Sequence, residues 1–130
     1  MRPKIAHASV CQAPEPQRAA AIGPCPRVHA PRRPNVAVWA VRNRSGLNVL
    51  ALDKGSRPIR LTLAARPSGP ATVQRLTAPS IRATTGVSLA GQTIGPQGQL
   101  LGHFRTEQVA PARGGYRVTI PAYSGAVIGL

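Results

Sequence analysis

The chain has 130 residues and a mass of 13.6 kDa, room for one domain. It carries 17 Lys and Arg against 3 acids, a net charge of +14, and the acids Glu15, Asp53 and Glu107 are far apart in the chain. Hydrolases that work through clustered carboxylates are therefore poorly served, the 13 Gly and 14 Pro disfavour a helical bundle, and no apolar run approaches the ~18 residues of a membrane span.

Residues 1–34 form a segment of their own. They contain Pro3, Pro14, Pro16, Pro24, Pro26, Pro31 and Pro34, both cysteines, and the basic residues Arg2, Lys4, Arg18, Arg27, Arg32 and Arg33. Each proline removes a backbone donor and holds its predecessor in an extended conformation, so no apolar period survives. The expectation is a disordered, basic, Pro-rich segment at 1–34 and a folded domain at 35–130. Ile5–Cys11 is too polar and too short for a secretory core. With no export signal recognised, the cytoplasm is the default location.

From Asn35 apolar residues alternate with a period of two. Val36–Asn43 is apolar at nearly every position and reads as a strand buried on both faces, with Trp39 in the core. Asn43–Gly46 signals a turn, and Leu47–Leu52 is the return strand. Asp53–Ser56 is the next turn, where Gly55 suits a positive φ. Ile59, Leu61 and Leu63 alternate with Arg60, Thr62 and Ala64, a half-exposed strand with its cations outward.

Ala71–Thr77 is a further strand, broken at Ala78-Pro79-Ser80. Ile81–Thr84 reads as a short strand, and Val87, Leu89 and Ile94 mark an extended segment interrupted by Gly91. Gly95–Gly98 is a turn, Leu100–Glu107 an extended stretch, Tyr116–Ile120 a strand ended by Pro121, and Ala126–Leu130 the last strand. Short strands at this spacing, punctuated by turns, predict an all-β fold: a single antiparallel β-sandwich of about seven or eight strands.

The stretch Val73-Gln74-Arg75-Leu76-Thr77-Ala78-Pro79-Ser80, followed by Ala83-Thr84-Thr85-Gly86-Val87-Ser88-Leu89-Ala90-Gly91-Gln92, resembles the C-terminal β domain of heparanase-like and β-glucuronidase-like glycoside hydrolases. Ile94 stands where an aromatic is common in that pattern. The closing residues Tyr116–Ala122 and Ser124–Leu130 look like the domain's last strands. Asn48–Lys54 is similar to an earlier one, with Asp53 in place of Asn. The resemblance covers residues 36–130.

The resemblance implies a non-catalytic accessory sandwich. In that family two glutamates on a (β/α)₈ barrel do the chemistry, and a barrel takes ~250 residues. No catalytic residue is carried over to this chain, and a truncated or stand-alone remnant without glycosidase activity is expected. Its implied partner is a glycoside hydrolase barrel, against which the sandwich would expose an apolar face.

Other constellations are weaker. His7, Cys11, Cys25 and His29 offer two thiolates and two imidazoles in the order H-x3-C…C-x3-H. That spacing is not common among zinc modules, and no metal or cofactor is expected. Cys11 and Cys25 could be bridged in an oxidising compartment, but free thiols are the default. His103 and Glu107 would share a face if their segment were a strand; a solvent-facing polar edge is the expectation. Ser45, Ser68 and Ser124 lie beside glycines without the strand–turn–helix context of a hydrolase nucleophile. The charge keeps an alternative open: a small basic protein that binds nucleic acid or acidic glycans non-specifically. Carbohydrate binding by the sandwich itself is disfavoured by placing Trp39 in the core.

Overall fold

The computed structural model describes residues 5–8, 27–31, 35–43 and 46–130. The strands are β1 Ile5–Ala8, β2 Arg27–Pro31, β3 Val36–Asn43, β4 Gly46–Asp53, β5 Ile59–Ala64, β6 Ala71–Thr77, β7 Ser88–Leu89, β8 Gln92–Ile94, β9 Leu100–Leu101, β10 Glu107–Val109, β11 Tyr116–Ile120 and β12 Ser124–Gly129. No described residue is helical. The fold is all-β and antiparallel, with more strands than the seven or eight expected.

The strands form two sheets. The smaller has the order β1-β2-β5-β11. The larger runs β3-β4-β12-β6-β7-β8-β9, with β10 also paired to β6. The core lies between them. Leu61, Leu63, Val118 and Ile120 point in from the small sheet, and Val49, Ala51, Val73 and Ile128 meet them from the large one, all essentially inaccessible. Burying an aliphatic side chain of this size contributes roughly 1.5–3 kcal/mol, and this layer is the main source of stability.

Alternation decides which residues enter the core. In β5, Ile59, Leu61 and Leu63 are buried while Arg60 faces solvent, as the sequence predicts. In β11, Tyr116, Val118 and Ile120 are buried while Arg117 and Thr119 are exposed. The Tyr116 hydroxyl donates to the Gly69 carbonyl at 2.6 Å, so its polar end is satisfied inside the fold. At the rim, Arg75 of β6 pairs with Glu107 of β10 at 2.8 Å and donates to the Thr119 carbonyl of β11 at 2.8 Å. One guanidinium thus ties three strands across both sheets.

Several expectations are corrected. Val36–Asn43 is not buried on both faces: Ala40 is in the core, but Trp39 and Val41 are each 41% exposed. Ile81–Thr84 forms turns rather than a strand, because its N–H groups face no neighbouring strand and Ala83 instead donates to the Ser80 carbonyl. Leu100–Glu107 is not one extended segment. It splits into β9 and the start of β10, joined by an irregular loop in which the Arg105 N–H donates to the Ala90 carbonyl. Within residues 1–34, β1 and β2 are strands, and β2 supplies the partner that β5 needs on its second edge. The rest of that segment lies outside the described residues.

The β7–β8 hairpin explains part of the motif that carried the resemblance. Leu89 and Gln92 pair across a two-residue turn formed by Ala90 and Gly91, with φ of 49° and 82°. Two successive positive φ values are the signature of a type I′ hairpin, which matches the strand twist. Glycine serves the second position. Ala90 tolerates the first while buried, with its N–H given to the Arg75 carbonyl at 2.7 Å. Gly95–Gly98 is a turn as predicted, closed by a Gly98 N–H to Gly95 carbonyl bond.

Candidate docking face

The two described acids, Asp53 and Glu107, are not brought together. Asp53 ends β4 with its side chain in the interior, 2% exposed. Its Oδ1 accepts the Gly55 N–H at 2.9 Å, while its Oδ2 is buried without a hydrogen-bond partner. Gly55 does not take the positive φ expected of it; the constraint there is instead the Asp53 carboxylate, 3.0 Å from where a Cβ would stand. Glu107 is held by Arg75. His103 lies in the loop between β9 and β10, not on a strand, so the shared face proposed for it and Glu107 does not exist. Glu15 lies outside the described residues.

The β1–β2 register sets the backbone of His7 opposite His29, and Cys11 and Cys25 lie outside the described residues. Among the described residues no three His, Cys, Asp or Glu side chains come together. Ser124 is buried and its hydroxyl donates to the Pro121 carbonyl. Ser68 is in an exposed loop, and Ser45 lies outside the described residues.

Asp53 allows a direct test of the isolated carboxylate oxygen. Asp53→Asn keeps an acceptor for Gly55 and removes a buried charge, so it should raise the unfolding free energy by about 1 kcal/mol. Asp53→Ala removes the acceptor and should lower it by about 1–2 kcal/mol. Urea denaturation of the two variants separates these signs.

The outer face of the large sheet holds Trp39, which the sequence reading placed in the core. Register lines up Trp39, Leu50, Val127 and Gln74 in one row across β3, β4, β12 and β6. The next row is Ala37, Leu52, Gly125, Leu76, Leu89 and Gln92. Leu52 leans over Gly125, coming within 2.6 Å of where its Cβ would be, and so fills the gap that glycine leaves. Ile94, at 62% the most exposed large hydrophobic among the described residues, extends the face with its partner Leu100.

Every outward position on this face from β3 to β9 is uncharged. In a chain of net charge +14 that is a strong segregation. A broad uncharged apolar face is the mark of an interaction surface rather than of a solvated one. Its β3 row was misread because a strand with apolar residues on both faces gives the same pattern whether the second face meets core or partner.

No curated protein sequence matches the chain. The structure of a 4-O-α-L-rhamnosyl-β-D-glucuronidase from Fusarium oxysporum 12S, in complex with Rha-GlcA, resembles it with a TM-score of 0.64 at 18% identity. The similarity covers 80% of this chain and 26% of that one, so the present chain spans about a quarter of that enzyme's length. The two share the sandwich fold. The model of the glycosyl hydrolase family 79 C-terminal beta domain matches residues 35–128, and the chain belongs to that family.

Proposed function

We propose that this chain is a non-catalytic accessory module that packs against the catalytic domain of a glycoside hydrolase through the outer face of its large sheet. The module is residues 35–130, and residues 1–34 are a leading segment whose strand β2 pairs with β5. The observation that carries the reading is the uncharged apolar face running from β3 to β9. The family match supports it, because the matched part is the C-terminal β domain and not the catalytic one.

The two described acids support the absence of glycosidase chemistry. Retaining hydrolysis needs two carboxyl groups ~5–5.5 Å apart, one of them free to exchange protons with the leaving group. Asp53 faces the interior and Glu107 is bonded to Arg75. The pure chain is expected to release no 4-nitrophenol from 4-nitrophenyl β-D-glucuronide above a blank. Turnover that survives repurification and scales with protein concentration would sink the reading.

A further inference from the structure

The outer face of the small sheet is the chemical opposite of the docking face. On β5 the outward residues are Arg60 and Thr62, and on β11 they are Arg117 and Thr119. Register sets Arg60 opposite Thr119 and Thr62 opposite Arg117. The result is a checkerboard of guanidinium and hydroxyl groups, with the two arginines on a diagonal of roughly 7–8 Å.

Exposed cations border the checkerboard at both ends. Lys54 and Arg57 lie in the loop leading into β5, Arg66 in the loop leaving it, and Arg113 in the turn before β11. No acid among the described residues opposes them, since Asp53 is buried and Glu107 belongs to Arg75.

We propose that this face binds the phosphate backbone of duplex nucleic acid without reading its sequence. A guanidinium fork suits two phosphate oxygens, and a threonine hydroxyl can donate to another. A duplex carries one charge per ~1.7 Å of axis, so neutralising it releases many counterions and favours a surface of this charge density. On β5 and β11 no outward side chain is aromatic, so these strands offer unpaired bases nothing to stack on, unlike single-strand binders. Nor does β5 enter a groove: it is held between β2 and β11, and among the described residues no helix or free two-stranded ribbon projects from it. The docking face is on the opposite side of the sandwich, so this binding neither requires nor prevents docking.

The test uses the full chain, a short duplex DNA of mixed sequence, its single strand and polygalacturonate, followed by fluorescence anisotropy over a salt series. Arg60→Gln/Arg117→Gln removes the two central cations. Arg82→Gln/Arg105→Gln removes two exposed cations elsewhere and is the equal-charge control. Circular dichroism melting of both double variants checks that each is folded; all four side chains are exposed, so neither change should disturb the core.

The face variant should lose about tenfold or more in duplex affinity, and its salt slope should fall by about two. The control should change neither by more than about twofold. Equal weakening by both variants would overturn the proposal in favour of bulk charge. Competition by polygalacturonate at equal charge would overturn it in favour of an acidic glycan, and single-strand binding as tight as duplex binding would also overturn it.

Discussion

Gly115→Ala should abolish folding. Gly115 has a φ of 144°, and a Cβ placed there would stand 1.8 Å from the Leu63 carbonyl oxygen and 2.9 Å from its carbon. Both are backbone atoms of a buried strand, so no side-chain rotation can relieve the clash. The neighbouring residue, Tyr116, begins β11 and pairs with Leu63. Moving the backbone at 115 therefore pulls β11 off β5 and withdraws Tyr116, Val118 and Ile120 from the core. The expected loss exceeds ~4 kcal/mol, most of what a domain of this size has to lose. Gly114→Ala is the control. Gly114 has a φ of 83° but open space around it, so the cost should be only about 1–2 kcal/mol. A cooperative wild-type melting curve for Gly115→Ala would show that β11 does not approach β5 as closely as described.

The second large effect concerns the docking face. Without a catalytic domain beside it, the chain should self-associate at high concentration through the rows that contain Trp39, Leu50 and Val127. Leu50→Lys/Val127→Lys places two charges in the middle of that face. Burying them unpaired costs several kcal/mol, enough to weaken association by about a hundredfold or more. Both side chains point outward, so the monomer should keep its melting temperature within a few degrees. Sedimentation velocity or light scattering over a concentration series gives the answer. A wild-type chain that stays monomeric at high concentration would remove the main support for docking through this face.

The all-β class was legible from alternation alone. In β5 the sequence assigned the side chains to the correct faces, because cations and apolar residues take turns there, and β11 alternates in the same way. In β3, β4 and β12 both faces are apolar, and alternation carries no information about which one meets the core. Trp39 was assigned to the interior for that reason, and so the β3 part of the candidate docking face was hidden inside the expected core. The resemblance supplied the idea of a docked module but not the face.

The short strands were legible as extended segments, around Gly91 and from Leu100, but not in their bounds or pairing. A two-residue strand such as β7 or β9 has no period to detect. Its existence depends on a partner already in place, β6 for one and β8 for the other. Likewise, nothing in the composition of residues 27–31 announces a strand. What recruits them is the otherwise open second edge of β5. The buried Asp53 and the pairing of Arg75 with Glu107, 32 residues away, are long-range facts that local sequence does not encode.

The position of β12 has a consequence for how such a chain is made. β12 pairs with β4 on one side and β6 on the other, so these two strands are joined only through it. It is also the last strand in chain order. As the polypeptide leaves the ribosome, the two halves of the large sheet wait with open edges until residues 124–129 emerge. The large sheet therefore cannot close before residues 124–129 are made, and pairings this distant in sequence close slowly. During that interval β4 and β6 expose unpaired backbone groups beside Val49, Ala51 and Val73, a template for pairing with other nascent chains. A chaperone that shields strand edges should matter more to the yield of this domain than its final stability would suggest.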